Sequence, residues 1–333
     1  MKHQHAGVAI TGIGSAVPAT ILDNEGLSQI VDTNDEWISS RTGIRQRRLA
    51  SVNESVTTLA TVAGAYALEM AGVDPADVDL MILATSTSDD LFGSACRVQT
   101  ALGANRAVAF DITAACSGFV FGMVTAAQFI HTGAYQTVLL IGADVLSRWT
   151  DWHDRRTCIL FGDGAGAMVL QAHATNHLLS FELRSDGTLN DCLNLAYQPT
   201  ATEIGAGVTI AQGTYQPVTM NGQEVYRFAV KQVPEVIEKA LYRAGITAAQ
   251  VDWLLLHQAN QRILDAVADR LGIPREKVIS NLAHYGNTSA ASIPLALDPE
   301  VRQGNIKPGD VIACAGFGAG LTWGATVFRW GRN

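Results

Sequence analysis

ALEMAGVDPADVDLMIL, residues 67–83, aligns without gaps with ALYRAGITAAQVDWLLL, residues 240–256, an offset of 173 in a chain of 333 residues. Ala, Leu, Ala, Gly, Ala, Val, Asp and Leu recur at matching places. Each copy reads as the end of an amphipathic helix, a glycine stop, a short polar turn and an apolar strand opening at Val-Asp. A second echo sets TAACSG (113–118) against TSAASI (288–293), each ahead of an apolar helical stretch. The chain therefore reads as two copies of one α/β unit.

Working outward, VAITGIG, AVAFDI, TVLLIGA and AMVLQA read as strands of the first half, and DWLLL, DVIACAGFG and ATVFRW as strands of the second. Strands alternating with helices predict sheets covered on both faces. The expected organisation is a first half over 1–180 carrying a nucleophilic cysteine, an irregular connection over 181–222, rich in Gly, Thr, Gln and Asn, and a second half over 223–333.

Composition narrows the function. Hydrophobic residues make up 48% and charged residues 16%, which excludes a disordered chain. A net charge of −8 argues against nucleic-acid binding. Cys96, Cys116, Cys158, Cys192 and Cys314 form neither a CxxC pair nor a zinc spacing, so a reducing cytosol fits best. GVAITGIGSAVPA has the look of a secretory h-region, yet its glycines and proline suit a strand and turn better. No Asp, Glu, Lys or Arg lies between Asp111 and Asp144, and ITAACSGFVFGMVTAAQFI is nineteen residues long. Gln128, the many small residues and the missing basic flank favour a buried helix over a membrane span.

Three residues carry the chemistry. Cys116 follows the strand AVAFDI and opens the helix CSGFVFGMVTAAQFI, where free N–H groups and the helix dipole favour a thiolate. His257 comes directly after the strand VDWLLL, and strand carboxyl ends are where α/β proteins hold ligands. Asn287, in HYGNTSAAS, stands at a helix entrance. Each has a plain structural alternative: a small buried hydrophobe for the cysteine, a helix cap for the others. The duplication favours function, because it puts Cys116 and the Asn287 segment at equivalent entrances and His257 at the equivalent of Ala84. Such a set suits acyl transfer through a thioester, with hydrogen-bond donors for an enolate oxygen.

DITAACSGF, HQANQR, YGNTSAAS, DEWISSRTGIRQRR, FGDGAGA and GFGAGLTWG together resemble the β-ketoacyl-acyl-carrier-protein synthase III family, from about Val8 to Trp330. Related families keep the cysteine and change its partners: elongating synthases use two His, degradative thiolases add a second Cys, and hydroxymethylglutaryl-CoA synthases use a Glu. The resemblance implies a thiolase-like α/β fold, its duplicated halves layered α-β-α-β-α about a pseudo-twofold axis. It implies an acyltransferase in which Cys116 takes an acyl group, usually acetyl, from acyl-CoA, while His257 and Asn287 promote decarboxylation of malonyl-acyl-carrier protein. The product would be a 3-oxoacyl-carrier protein, which starts fatty-acid synthesis.

By the same resemblance the oxyanion hole is made by the N–H groups of Cys116 and Ala319, where the family usually has Gly at the latter position. Thr33, Trp37, Arg41, Arg155, Gly222, Tyr226, Asn260 and Arg262 would bind CoA and its pantetheine arm. Gln223 stands where relatives often carry Asn. Phe317 and Phe92, the latter reaching across a homodimer interface, would shape the acyl pocket. Arg227, Arg262 and Arg270 would dock the acidic carrier protein, with Asp269 where some relatives have Lys. No cofactor, metal, membrane or nucleic acid is expected, since coenzyme A thioester is a substrate, and the location implied is cytoplasmic.

Against ligand binding, Arg41, Arg45, Arg47 and Arg48 also read as a solvated charge run, and Trp37 as ordinary core. FGDGAGA and GFGAG fail the phosphate-loop pattern, and Val17 occupies the third glycine position of G-x-G-x-x-G. His173 and His177 have helical spacing but no carboxylate motif, which reads as surface rather than zinc. The rival functions are a related condensing synthase of secondary metabolism or hydrocarbon synthesis, a hydrolase of the same acyl-enzyme, and a non-catalytic partner subunit.

Overall fold

The computed structural model describes residues 6–332. Its N-terminal sheet runs, in spatial order, Gly7–Ala16, Gly164–His173, Thr137–Asp144, Leu80–Ala84 and Val108–Ile112. The C-terminal sheet runs Leu178–Ser185, Thr322–Arg329, Val311–Gly318, Trp253–Leu256 and Val278–Ile279. The two orders correspond strand for strand. Thr137–Asp144 and Val311–Gly318 are the central strands, each parallel to one neighbour and antiparallel to the other.

The repeated sequence explains the repeated structure. The helices Val56–Ala71 and Gly222–Ala244 end at Gly72 and Gly245, at φ 64° and 67°, a left-handed conformation that glycine adopts without strain. A 3₁₀ turn follows in each copy, Pro75–Asp77 and Ala248–Gln250. The aspartate of each Val-Asp pair then accepts from the first residue of the central strand beside it. Asp79 takes the N–H of Thr137 at 3.0 Å, and Asp252 that of Val311 at 2.9 Å.

Helices Gly118–His131 and Ser292–Arg302 pack between the two sheets, Val56–Ala71 covers the outer face of the first and Gly222–Ala244 that of the second. The order is α-β-α-β-α. Phe119, Val120, Met123, Ala126, Ala127 and Ile130 of the central helix are wholly buried. The long uncharged run is thus a core helix, and among the described residues no helix is long and apolar enough to cross a membrane. Burial of Phe119 alone contributes about 1.5–3 kcal/mol.

Several expectations need correction. The stretch 181–222 is not wholly irregular: the strand Leu178–Ser185 closes the edge of the C-terminal sheet, so that half begins near Leu178. A hairpin of Tyr197–Gly205 and Val208–Tyr215 follows, exposed along nearly its whole length, and its polar composition hid it. Arg47 is no part of a solvated run, being fully buried. His177 is not a surface residue, with 2% of its area exposed, and it meets His173 edge to face beside a sheet rather than on a helix. FGDGAGA is structural, since the buried Asp163 carboxylate accepts from the N–H of Ala50 at 2.7 Å and of Ser147 at 2.9 Å.

Where the halves meet, the chains approach backbone to backbone. A Cβ on Gly142 would stand 2.3 Å from the carbonyl oxygen of Ala290. Gly142→Ala is expected to lower stability by about 2–3 kcal/mol, because neither the strand nor the turn can yield in a close-packed core. Urea unfolding measures it, and a midpoint equal to wild type would refute the tight contact.

Candidate active site

Cys116 does not open the long helix directly. It lies in a 3₁₀ turn, Ala115–Ser117, and the α-helix begins at Gly118. Ala115 turns the chain at φ 47°, a conformation costly for a residue with a side chain. The turn seats against the end of the strand Val311–Gly318, where a Cβ on Gly318 would lie 2.6 Å from the Cys116 nitrogen. The glycines of GFGAG thus serve close approach.

Burial pushes the Cys116 thiol up to about 12, opposed by a hydrogen bond from Ser289. The helix N-terminus opposes it too, by about 2 kcal/mol at most, while each pH unit is worth about 1.4 kcal/mol. That is too little to ionise the sulfur at neutral pH. Burial thus favours the neutral thiol, against the pull of the helix entrance towards the thiolate.

His257 ends the strand Trp253–Leu256, its N–H bonded to Ala315 O at 2.8 Å and its ring edge to face with Phe317 at 5.3 Å. Nδ1 lies 2.7 Å from the Ser292 hydroxyl. Burial pushes the imidazole down to about 3, so it is neutral. Asn287 is held by its backbone, donating to Leu160 O at 2.8 Å and accepting from Gly162 N–H at 3.0 Å. Its side-chain oxygen accepts from Ser289 N–H at 2.9 Å, which leaves the amide NH₂ as a free donor group.

Cys116, His257 and Asn287 line one cavity of about 160 Å³, together with Gly222, Tyr226, Asn260 and Phe317. Cys116 also borders a second cavity of about 580 Å³, which Ala319, Leu146 and Trp149 help to enclose. The sulfur therefore sits between two chambers.

The remaining candidates lie outside both cavities. Trp37 is flanked by Arg41 at 4.6 Å and Arg155 at 5.2 Å from its ring centre, and Arg155 also donates to Asp32 O at 3.0 Å. Arg262 and Asn260 tie this region to the cavity by donating to Ser40 O at 2.9 Å and Arg41 O at 3.1 Å. Among the described residues Thr33 keeps a buried hydroxyl without a partner. Phe92 is fully exposed at 102%, while its neighbour Leu91 borders the larger cavity. Arg227 and Arg270 pair with Glu224 at 3.7 Å and Glu235 at 3.6 Å, which mutes them as a basic rim.

Sequence reasoning missed Ser289, Ser292 and Asp144. The Asp144 carboxylate is wholly buried and accepts from Ser86 N–H at 2.9 Å, Thr87 Oγ1 at 2.8 Å and Ala290 N–H at 3.2 Å. Burial pushes it up, with Ser289 among the donors opposing. A single acid ending an apolar strand was the available signal. Among the described residues no group of three or more His, Cys, Asp or Glu could hold a metal ion.

Known proteins resemble this chain in sequence and fold. The family model described as 3-oxoacyl-[acyl-carrier-protein (ACP)] synthase III matches residues 110–187, and that of its C terminal matches 241–330. A β-ketoacyl-[acyl-carrier-protein] synthase III of Nostoc sp. (strain PCC 7120) is 70% identical over 329 residues, covering 99% of this chain and 100% of that protein. The crystal structure of 3-oxoacyl-[acyl-carrier-protein] synthase III from Aquifex aeolicus VF5 superposes with a TM-score of 0.89 at 42% identity, covering 97% of this chain and 100% of that one. The priming β-ketosynthase of the R1128 polyketide biosynthetic pathway gives 0.91 at 33% identity, covering 99% and 98%. Fold and relatives define a thiolase-like enzyme of the acyltransferase class. Within that class the chain belongs to the β-ketoacyl-[acyl-carrier-protein] synthase III family, whose condensation initiates fatty-acid synthesis.

A buried thiol predicts slow alkylation. The rate of Cys116 modification by iodoacetamide is expected to climb about tenfold per pH unit from about pH 7 to 9 without levelling, as the thiolate fraction grows. Mass spectrometry of the Cys116 peptide reads it, and a plateau near neutrality would show a preformed thiolate.

Proposed function

We propose that the protein condenses an acyl-CoA primer, acetyl-CoA in the first instance, with malonyl-acyl-carrier protein to give a 3-oxoacyl-carrier protein. The observation that carries this reading is the position of Cys116 between two cavities, one of which also holds His257 and Asn287. The thioester arm enters by the smaller cavity and the acyl group is left on the sulfur, facing the larger.

In the first half-reaction the Cys116 sulfur attacks the acyl-CoA carbonyl. The C–S bond to CoA breaks, and the thiol proton leaves with CoA, so the buried cysteine never holds lasting charge. Malonyl-carrier protein then enters. Its carboxylate leaves as carbon dioxide, and the bonding pair moves onto the thioester as an enolate whose oxygen accepts hydrogen bonds from neutral His257 and the Asn287 amide. The enolate carbon attacks the acyl-cysteine, and the oxyanion is received by the N–H groups of Cys116 and Ala319. Collapse releases the product and the sulfur as thiolate, which takes up one proton from solvent, the proton that decarboxylation of a carboxylate consumes overall.

The Trp37 region serves the nucleotide end of CoA. Arg155 at 5.2 Å leaves no room for a base against that face, so it swings aside when adenine binds. Among the described residues Arg262 is the docking arginine without a carboxylate partner, and with Arg227 and Arg270 it meets the carrier protein. Exposed Leu91 and Phe92 are covered by a second copy in a homodimer, where Phe92 closes the partner's acyl pocket. Five unpaired cysteines suit a reducing cytosol. A second reading, priming of a secondary pathway with a longer acyl group, draws on the larger cavity of about 580 Å³ and on the likeness to the R1128 priming enzyme.

Incubation with radiolabelled acetyl-CoA, followed by malonyl-acyl-carrier protein, tests the proposal. Label is expected on Cys116 and then in a four-carbon carrier-bound product, with both lost in Cys116→Ala. An unlabelled wild type that accepts only longer or branched primers would move the assignment to the second reading. Label released as free acid would make the protein a hydrolase.

A further inference from the structure

His257 can act as a donor only if its single ring proton sits on the nitrogen that meets substrate, and a neutral imidazole has two tautomers to choose from. Which one forms is set by the bond the other nitrogen makes. Nδ1 is engaged at 2.7 Å by the hydroxyl of Ser292, the first residue of the central helix Ser292–Arg302. Nε2 is the nitrogen left for the cavity that the residue lines.

The direction of that bond follows from the partners of Ser292. Its oxygen already accepts the Gln258 N–H at 3.3 Å. Among the described residues its own proton has no acceptor except Nδ1. Were Nδ1 to carry the proton, the serine oxygen would face two donors while its O–H pointed at nothing, in a residue 1% exposed. Buried hydroxyls without acceptors are strongly disfavoured.

We propose that Ser292 is a positioning residue which donates its hydroxyl proton to Nδ1 of His257 and so fixes the imidazole proton on Nε2, facing the reacting thioester. The ring is further fixed by the adjoining backbone, since His257 N–H bonds Ala315 O and the Gln258 side chain donates to Leu256 O at 2.7 Å and Ile279 O at 3.2 Å. Ser292 touches no substrate. It acts through the histidine, as outer partners do for other imidazoles. The catalytic consequence rests on the reading that His257 donates to the enolate, whereas the tautomer itself does not.

The test separates the two. Protein labelled with ¹⁵N-histidine is examined by two-bond ¹H–¹⁵N correlation, with the His257 signals assigned by their loss in His257→Gln. Wild type is expected to show a protonated Nε2 and an acceptor Nδ1. Ser292→Ala is expected to mix the tautomers and to slow carbon dioxide release from malonyl-acyl-carrier protein about 10- to 100-fold, in line with the loss of an outer partner that orients a histidine. A wild type protonated on Nδ1 overturns the proposal, and so does a Ser292→Ala protein whose tautomer matches wild type. A shifted tautomer with unchanged decarboxylation upholds the role of Ser292 and overturns that of His257 as donor.

Discussion

The two halves touch at their centres through backbone atoms, and this contact fixes everything around it. Gly142, in the central strand of the N-terminal sheet, receives the carbonyl of Ala290 from the other half. Its counterpart Gly316 receives the turn of the first half, where an added Cβ would lie 3.2 Å from the Ser117 Cα. A side chain has no room at Gly142, and one at Gly316 would need its neighbours to shift by a few tenths of an ångström. Each half therefore presses one 3₁₀ turn, Ala115–Ser117 or Ser289–Ala291, against the strand of the other. Both turns are entered at positive φ, 47° at Ala115 and 52° at Ser289.

One symmetric frame carries an asymmetric site. By the correspondence of these turns Cys116 matches Ala290, one residue away from the register of the sequence echo, so a single cysteine stands at the axis. The turn of the second half contributes polar groups instead: Asn287 before it, Ser289 within it, Ser292 after it. Asp144 reaches across from the N-terminal sheet to hold Ala290 N–H. Burial then sets the protonation states, raising Cys116 and Asp144 and lowering His257. A buried site with fixed donors is the kind of place where charge that develops only in passing is well stabilised.

The sequence made the frame legible where local chemistry repeats. The glycine stops at Gly72 and Gly245 and the strand-capping Asp79 and Asp252 left the same letters in both halves, and the helix run from Gly118 left an uncharged stretch. His257 and Asn287 were legible because they sit at ends of elements the echo located. What escaped has a physical reason in each case. The edge strand Leu178–Ser185 mixes polar and apolar residues because much of it is only half covered. Arg47 reads as surface because nothing in a string reports desolvation. Ser292 reads as an ordinary helix start, and its partner is 35 residues away.

Arg47 shows how far the site extends. Burial lowers its guanidinium to about 10, so it stays charged at neutral pH, and among the described residues no carboxylate is bonded to it. It bonds Leu22 O at 3.1 Å, Asn24 Oδ1 at 2.9 Å and Ile159 O at 2.8 Å, three acceptors on two separate segments. A planar fork of donors can span them where the single ammonium of lysine cannot. The residues just beyond Ile159 are the ones that grip Asn287, through Leu160 O and Gly162 N–H. A cost of desolvation borne away from the cavity thus holds the segment that grips the Asn287 backbone, and the stiffness of that clamp limits how far the Asn287 amide can drift.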